Sequence, residues 1–517
     1  MSKRTSPDRR LAFGSLSIFS IIFVFVFLTH APLLRLPFFW DEAGFYVPAA
    51  HDVLQYRTLI PQTSLDTTHP PLSAAYLAFW FALSGLKPAV ARTAMLLLAA
   101  FALTNVFLLA RRLAGTGVAV ASTIATALYP IFFVQSSLTH ADLAAAAFSL
   151  WGIRLSVERR LWPAQIAFSL AVLSKETAII TPAAIAVWEL LRREEPSLKN
   201  RLASAAMYGL PALPLAGWVL YHYHVTGSFL GSPAFYRYNV SHTLSPLRFL
   251  LAFVLRLWHL FGTMNMLALT VATGVAMWFP PVSDAGTERG RIAVPVQLQF
   301  AMIMAAYLIV FSIFGGALLT RYLLPLYPLV IMIGMSTLHR RIDRWEWPAA
   351  TMIIFFVLAL FFDPPYRFSP EDNLTYRDFI ILHSDAARFL EKHERGSRVL
   401  TAWPVTDELT RPYLGYVSQP FAVIQARDFT PEEMFRARQI RNQYQVAYLF
   451  STKYEASTWF HSARWEELNH RFFDYHRDLT PESAAALLEG RVVYVAHRKA
   501  EWVMVIEMES GGAVGSP

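Results

Sequence analysis

The chain has 517 residues, of which 55% are hydrophobic, 14% aromatic and only 16% charged. Soluble domains carry roughly 25% charged residues, so this composition excludes a single soluble core and indicates a membrane protein. The absence of cysteine excludes disulfides, iron–sulfur clusters and thiolate catalysis. The net charge of +8 does not indicate nucleic-acid binding, because the basic residues occur in short clusters between apolar runs and form no single patch.

The charges divide the chain into two parts. Residues 1–362 contain 27 basic and 15 acidic residues, a net charge of +12, whereas residues 363–517 contain 18 basic and 22 acidic residues, a net charge of −4. We therefore predict an apolar, basic membrane module over 1–362 and a soluble C-terminal domain over 363–517. The turn-rich segment 363–370 ends the last predicted helix and links the two.

Apolar runs long enough to cross a bilayer, about 17–25 residues each, occur throughout the membrane module. The first is predicted to be an uncleaved span, because it is longer than the apolar core of a signal peptide and no cleavage site follows it. The sequence predicts about eleven spans. Clear candidates are 11–33, 89–110, 117–135, 203–222, 262–279, 297–316, 322–339 and 347–362, and shorter ones are 141–156, 161–174 and 177–192.

Residues 71–86 form one further apolar run, and counting it as a span would reverse the orientation of every later helix. Basic residues favour the cytoplasmic side of a membrane. With 71–86 as an interfacial helix, 18 of the 27 basic residues of the module fall on that side. We therefore predict a cytoplasmic N-terminus, outer loops at 35–88 and 223–260 with interfacial helices, and a periplasmic or extracellular C-terminal domain. A bacterial inner membrane is the expected location.

The C-terminal domain is predicted to be α/β. Helical stretches at 376–393 and 430–441 lie between runs that favour strands. No Gly-rich phosphate loop follows any of these runs, so a cap that is structural or that orients an acceptor is favoured over a catalytic domain. The predicted strands are Arg398–Trp403, Phe421–Ala426, Val446–Thr452, Arg491–Ala496 and Trp502–Met508.

Carboxylates recur where the predicted spans meet the outer surface. Asp41 and Glu42 follow the first span, and Asp142 follows His140 at the outer end of the third. Each acid could simply cap a helix N-terminus, or it could act as a general base with a neighbour that orients it. Acids from two different outer loops on one membrane face favour the functional interpretation. His69, in the first outer loop, is either a surface residue or a positioning residue.

Basic residues lie on the same outer face. Lys175 separates two short spans and Arg321 follows an outer helix end; Arg92 and Arg256 are also placed there. Such residues could extend toward lipid headgroups, but an arginine fork can also make two bonds to phosphate oxygens. Carboxylates and cations together suit transfer from a lipid phosphate, whose negative charge grows in the transition state. Two further arginines on the outer face are Arg237 and Arg248. The nearby histidines His222, His224, His242 and His259 lack the tight spacing of a zinc site.

Several of these residues occur in short motifs that follow one another in a recognisable order. Across about 320 residues the ordered set resembles the protein O-mannosyltransferase and aminoarabinose transferase superfamily, the family 39- and 83-like glycosyltransferases of the GT-C fold. The matching elements are Asp41-Glu42, His69-Pro-Pro-Leu72, Arg92, Asp142, Leu173-Ser-Lys175 and Thr320-Arg321-Tyr-Leu-Leu-Pro325.

The resemblance implies a mainly α, GT-C membrane fold and an inverting sugar transfer from a polyprenyl-phosphate donor on the non-cytoplasmic face, with Asp41 as the base. The acceptor is a lipid, a glycan or a protein. No cofactor is required, although a divalent cation at the acids is an alternative. The implied roles are catalysis by Asp41, Glu42 and Asp142, donor-phosphate binding by Arg321, Lys175, Arg92 and Arg256, and substrate positioning by His69 and His140.

Two features depart from the family pattern. Glu176 follows Lys175 where bacterial relatives often have glycine. The C-terminal domain does not resemble the sugar-binding repeats of eukaryotic protein mannosyltransferases, so it gives no support to a protein acceptor.

A polytopic transporter or flippase of a lipid-linked substrate is the alternative function. Transporters commonly contain inverted repeats and ionisable groups near the bilayer midplane. In this sequence the charges lie at predicted helix ends, no repeat is visible and a soluble domain is appended. These features favour the transferase.

Overall fold

The structure is a computed structural model that describes residues 7–192, 195, 197–229, 231, 243–284, 286–454, 463–473, 475 and 478–508, with side chains from residue 14 onward except at 463. Arg237 and His242, two of the predicted outer residues, lie outside the described residues. The predicted mainly α architecture with a C-terminal sheet is present.

The described part of the membrane module is built from α-helices joined by short turns. Two short strands, β1 (Ser283–Asp284) and β2 (Thr287–Glu288), form a hairpin between helices. The helices are α1 (Pro7–His30), α2 (Val47–Tyr56), α3 (Leu72–Ser84), α4 (Pro88–Leu128), α5 (Pro130–Gln135), α6 (Ala141–Val157), α7 (Leu161–Ser174), α8 (Ile180–Leu191), α9 (Leu198–Met207), α10 (Ala212–Thr226), α11 (Pro246–Phe261), α12 (Met266–Ala276), α13 (Val294–Ile313), α14 (Tyr327–Arg341) and α15 (Glu346–Phe361).

Helix length and composition do not confirm the predicted number of about eleven spans. Among the described residues, three helical segments are long and apolar enough to cross a bilayer, at Gly14–Leu33, Pro88–Leu128 and Val294–Ile313. Two bent pairs, α9 with α10 and α11 with α12, raise that number to five. The remaining predicted spans overlap shorter helices.

Helix α4 contains the predicted span 89–110 and most of the predicted span 117–135, which continues into α5. Its 41 residues would extend about 60 Å at about 1.5 Å per residue, twice the roughly 30 Å thickness of the hydrocarbon core. Gly115 interrupts it with a φ of 87° and a ψ of 174°, a conformation that suits glycine because it has no Cβ. The break lies beside Arg111 and Arg112, where the sequence predicts an inner turn.

The C-terminal part forms one five-stranded sheet with helices. The strand order is β4-β3-β5-β7-β6, with β3 parallel to β4 and β5, and β7 antiparallel to β5 and β6. Each of the five predicted strands is present, as are both predicted helices. The elements are α16 (Thr375–His393), β3 (Val399–Ala402), α17 (Val405–Thr410), β4 (Val423–Ala426), α18 (Pro431–Gln439), β5 (Val446–Phe450), α19 (Ala463–Phe473), α20 (Pro481–Leu488), β6 (Gly490–Arg498) and β7 (Glu501–Met508).

One continuous apolar core runs from the membrane helices into the C-terminal sheet. The backbone also connects the two parts, because Phe38 N–H donates to Leu414 O at 3.2 Å and the Tyr416 hydroxyl donates to Phe38 O at 3.1 Å. The C-terminal domain is therefore packed against the segment that follows α1.

Asp363 anchors the segment between α15 and α16. Its carboxylate accepts hydrogen bonds from Tyr454 Oη at 2.5 Å and Lys499 Nζ at 2.9 Å, both from the sheet domain. It also accepts from Asn373 Nδ2 at 3.0 Å and Thr375 Oγ1 at 2.8 Å. Burial opposes ionisation, but these hydrogen bonds lower the pKa of Asp363. One carboxylate thus joins the end of the last membrane helix to the domain that follows.

Candidate active site

The candidate site is built from helix ends and short turns. Asp41 precedes a π-helical turn, Glu42–Tyr46, and Asp142 lies in the first turn of α6. Lys175 follows the last residue of α7. Arg321 lies in the 3₁₀ turn Thr320–Leu323. All four side chains therefore lie at helix ends or in short turns and not within the apolar helices. Because the sequence places these ends on one face, the four residues can come together there.

Arg321 is the centre of the site and is almost fully buried. Its Nη2 donates to Asp41 Oδ2, and its Nη1 donates to Glu371 Oε2 at 2.5 Å. Its Nε lies 3.5 Å from Asp142 Oδ2, without a hydrogen bond. Three carboxylates from three separate segments of the chain therefore surround one guanidinium.

Lys175 and Tyr322 form a second side of the cluster. Lys175 Nζ donates to Asp142 Oδ1 at 2.7 Å and lies 4.3 Å from the centre of the Tyr322 ring. The guanidiniums of Arg256 and Arg321 lie 5.6 Å and 5.9 Å from the same ring. Three cations thus meet at one aromatic side chain, an arrangement that an aromatic ring stabilises through its negative faces.

Arg256 differs from the other cations in its partners. Its Nη1 donates to Leu319 O at 2.7 Å and its Nε to Phe311 O at 3.4 Å, and neither acceptor is charged. Its Nη2 is buried and has no hydrogen-bond partner in the described part of the chain. A buried donor of this kind costs free energy unless a ligand or water satisfies it.

Glu42 and Arg92 form a separate, fully buried ion pair. Arg92 Nη2 lies 3.3 Å from Glu42 Oε2, and Arg92 also donates to the carbonyls of Pro37 and Ser137 at 2.8 Å and 3.1 Å. Glu42 accepts from Thr139 N–H at 2.8 Å. Their described contacts therefore join the segment after α1 to the start of α4 and to the segment before α6, and do not include Arg321.

The two predicted histidines have different surroundings. His140 is buried, with Nδ1 2.8 Å from Gln135 Oε1 and 3.4 Å from Arg321 Nη1. Burial and the charges of Arg321 and Lys175 lower the pKa of His140 well below 6.5, so the ring is neutral at pH 7. His69 Nδ1 lies 2.9 Å from Glu176 Oε2, so the glutamate that departs from the family pattern has a partner.

Sequence reasoning missed Glu371 and Asp372. They lie in a 3₁₀ turn, Pro370–Asp372, just before α16. Asp372 accepts a hydrogen bond from Thr320 Oγ1, while Glu371 pairs with the adjacent Arg321. The signal that could have found them is a second pair of adjacent acids at a membrane boundary, like Asp41-Glu42.

Both acids have raised pKa values. Burial, together with the charges of Asp41, Asp372 and Asp142, raises the pKa of Glu371 to about 8 although Arg321 opposes the shift. Burial raises the pKa of Asp372 to about 7 against the effect of its hydrogen bonds. Perturbed carboxyls of this kind are characteristic of functional sites.

Two cavities adjoin the Asp142–Lys175 pair. A small, partly open pocket is lined by residues that include Asp142, Lys175, Arg321 and Tyr322. A larger, mostly apolar cleft is lined by residues that include Ala141, Ser174, His69 and Trp218. Because Ala141 and Ser174 directly precede Asp142 and Lys175, this ion pair lies at the boundary between the two spaces.

The predicted acids are not gathered in a way that suits a metal ion. Glu42 bonds to Arg92 and Thr139, whereas Asp41 and Asp142 face Arg321. Within the described residues, no group of three or more histidines and carboxylates has a geometry for metal binding.

Comparison with known proteins identifies the fold. Residues 68–221 match the family model described as dolichyl-phosphate-mannose-protein mannosyltransferase. ArnT from Cupriavidus metallidurans bound to undecaprenyl phosphate is 15% identical, with a TM-score of 0.54 over 96% of this chain and 98% of that chain. The fold is that of the GT-C glycosyltransferases.

Two further solved structures are similar to the chain. The apo state of the same ArnT has a TM-score of 0.56 at 15% identity, again over 96% of this chain and 98% of that chain. The Archaeoglobus fulgidus oligosaccharyltransferase in complex with Zn and sulfate is 12% identical over 84% of this chain and 67% of that chain, with a TM-score of 0.45. A comparison with curated protein sequences finds no match. The resemblance to GT-C proteins that the sequence motifs indicated is confirmed.

Proposed function

We propose that the chain is an integral-membrane glycosyltransferase that moves a sugar from a polyprenyl-phosphate donor to an acceptor, with inversion. The observation that carries the proposal is the convergence of Asp41 and Asp142 on Arg321, beside a cavity that Lys175 also lines. Such a transfer needs a base for the acceptor and cations for the departing phosphate. Both kinds of group meet here.

The donor phosphate is assigned to the space beside Tyr322. Lys175, Arg256 and Arg321 all face that ring, and Arg256 Nη2 has no described partner. As the glycosidic bond breaks, negative charge accumulates on the phosphate oxygens, and fixed cations stabilise it more than they stabilise the intact donor. We do not assign Arg92 to the donor phosphate, because its N–H groups already donate to Glu42 and to backbone carbonyls.

Asp41 is the proposed general base. Its side chain is 17% exposed, whereas that of Asp142 is 4% exposed and is bonded to Lys175. Asp41 is therefore the acid that an acceptor hydroxyl or amine can approach, while Asp142 holds Lys175 and Arg321 in place. His69 lines the larger cleft and His140 contacts Arg321, so we assign both to substrate positioning.

We further propose that transfer takes place on the non-cytoplasmic face of a bacterial inner membrane, with the N-terminus in the cytoplasm. Support comes from the arginine clusters between predicted spans, which favour the cytoplasmic side. A reporter fused after residue 370 is expected outside the cytoplasm and one within 113–116 inside it. A cytoplasmic reporter at 370 would contradict this orientation.

The test of the proposed function is turnover by the full-length protein in detergent, with a panel of polyprenyl-phosphate sugars and mass analysis of the products. We expect Asp41→Asn to lower turnover by at least about 10²-fold, or about 2.7 kcal/mol of barrier, while donor binding persists. Asp385→Asn is the matched control, because that acid pairs with Arg388 on the exposed side of α16. Normal turnover in Asp41→Asn with an inactive Asp142→Asn would make Asp142 the base.

The same assay separates the transferase from a flippase. Release of polyprenyl phosphate in detergent needs no sealed bilayer, whereas transport does. Absence of any sugar transfer across the panel, together with donor movement in sealed vesicles, would favour the flippase.

A further inference from the structure

We propose that Glu371 is a positioning residue that holds Arg321 in the empty site and releases it to the donor phosphate on taking up a proton. The inference rests on the proposed function, because it concerns how the donor gains access to Arg321. It gives the segment between the membrane module and the sheet domain a part in donor binding.

The first step is that the Arg321 guanidinium is already surrounded by carboxylates. Arg321 Nη1 donates to Glu371, Nη2 donates to Asp41, and Nε faces Asp142 at 3.5 Å. An N–H that already donates to a carboxylate is not free for a phosphate oxygen, and a charge-assisted bond from arginine to phosphate is a strong one. The phosphate therefore gains the Nη1–H of Arg321 when Glu371 withdraws.

The second step is that Glu371 can withdraw without loss of the proposed base or of the Asp142–Lys175 bond. Asp142 is bonded to Lys175 at 2.7 Å, and Asp41 is the proposed base. Glu371 Oε1 is buried and has no hydrogen-bond partner among the described residues, and Arg321 is the only cation that its carboxylate contacts there.

The third step is that the surroundings favour a neutral Glu371. The groups that face it are Arg321, the neutral His140 at 3.8 Å, and the acids Asp41, Asp142 and Asp372. Its pKa of about 8, raised by burial and by those acids, allows protonation near neutral pH. A proton on Oε2 ends the ion pair, and Arg321 Nη1 then donates to a phosphate oxygen. Protonation removes the negative charge of Glu371, and the bound phosphate diester supplies one negative charge in its place.

The fourth step concerns how Glu371 keeps its place after release. The adjacent Asp372 accepts a hydrogen bond from Thr320 Oγ1, and Asn373 donates to Asp363 at 3.0 Å. The backbone on the C-terminal side of Glu371 is therefore fixed by its neighbours. Only the glutamate side chain has to move when the donor binds.

The experiment measures the affinity of the full-length protein in detergent for the monomethyl ester of a polyprenyl phosphate. This diester keeps a single negative charge between pH 7 and pH 9, unlike a phosphate monoester, whose second pKa is about 6. For a group that titrates at about 8, ionisation should weaken binding about tenfold between pH 7 and pH 9. We expect Glu371→Gln to bind with equal affinity at both pH values.

Asp372→Asn is the matched control. It removes a neighbouring negative charge but leaves Glu371 able to ionise, so its affinity should still fall with pH, with a midpoint at lower pH. Glu371→Asp, which keeps a carboxylate, should also retain the fall and serves if the glutamine variant does not fold. A full pH dependence in Glu371→Gln, or its loss in Asp372→Asn or Glu371→Asp, would overturn the role of Glu371.

The two proposals fail in different ways. If the wild-type protein does not bind the diester at pH 7, the proposed donor and with it the proposed function are wrong. If the wild-type protein binds equally at pH 7 and pH 9, the proposed function stands and the role of Glu371 is wrong.

Discussion

The indole ring of Trp403 lies directly on the backbone of Gly44, three residues after Asp41. A Cβ atom added to Gly44 would come within 2.6 Å of the indole Nε1 and 2.7 Å of Cζ2. The same indole lies 5.4 Å, centre to centre, from the rings of both Trp40 and Phe45. The turn that presents Asp41 is therefore packed against the sheet domain, and the position of Asp41 depends on that contact.

We expect Gly44→Ala to lower both thermal stability and turnover. The added methyl group has no space unless Trp403 moves, and overpacking of this kind costs about 1–3 kcal/mol. The measurements are the unfolding temperature in detergent and the transferase rate. Gly14→Ala is the control, because nothing lies within 4 Å of the added Cβ there. Equal behaviour of the two variants would show that the contact does not constrain the turn.

We expect Glu42→Gln to act mainly through stability. The substitution leaves Arg92 buried without its charged partner, and breaking a buried ion pair costs about 3–5 kcal/mol. The unfolding temperature should therefore fall sharply, while any folded fraction retains donor binding. Glu158→Gln, which alters the partly exposed pair with Arg154, is the comparison and should cost far less. Inactive Glu42→Gln with unchanged stability would instead support the catalytic role that the sequence motif implied.

We expect Arg321→Ala to weaken donor use strongly and Arg321→Lys to restore it only in part. A lysine ammonium is a point charge and cannot reach Asp41 and Glu371 with two N–H groups in one plane. The measurement is the donor KM and kcat for each variant. Arg388→Lys, on an exposed part of α16, should match the wild type. Unchanged donor dependence in Arg321→Ala would mean that this residue does not bind the phosphate.

The burial of Glu501 predicts that the free energy of unfolding depends on pH. Glu501 is 2% exposed and neither carboxylate oxygen has a partner among the described residues. Burial and the charges of Asp378 and Asp363 raise its pKa well above the usual value. Since the folded state then binds the proton more tightly than the unfolded chain, stability is full below the unfolded pKa of about 4.3 and falls as pH rises toward the folded pKa.

We expect Glu501→Gln to remove this part of the pH dependence. The variant should unfold at a higher temperature than the wild type at pH 8, and the difference should shrink at pH 5. Glu507→Gln, on the same strand but paired at the surface with Arg491, should leave the pH dependence intact. A wild-type pH profile in Glu501→Gln would contradict the prediction.

Part of the site could be predicted from the sequence because its charged residues lie at the ends of apolar runs. Asp41, Asp142, Lys175 and Arg321 each follow or begin an apolar run, and the alternation of spans places such ends on one face. The structure brings these four side chains together. The roles of the residues are not visible in that pattern, as Glu42 illustrates: it adjoins Asp41 but its carboxylate bonds to Arg92.

Sequence reasoning missed Glu371, despite its adjacent acid Asp372, because the charge distribution assigns both residues to the soluble domain. The partner of Glu371, Arg321, is 50 positions earlier in the chain, and no local periodicity connects a turn-rich segment to a distant 3₁₀ turn. The strands of the sheet domain were predictable for the opposite reason. Runs such as β5, buried along its whole length, are rich in residues that favour strands.

The segment between α15 and the sheet domain looks like a surface connection of the kind that usually tolerates added or deleted residues. It is, however, fixed at Asp363 by Tyr454 and Lys499 and at Glu371 by Arg321. The number of residues between Asp363 and Glu371 is therefore matched to the distance between these two fixed points. A single inserted residue at 364–369 would displace Glu371 from Arg321 and act as an active-site mutation, although it would change no side chain of the site.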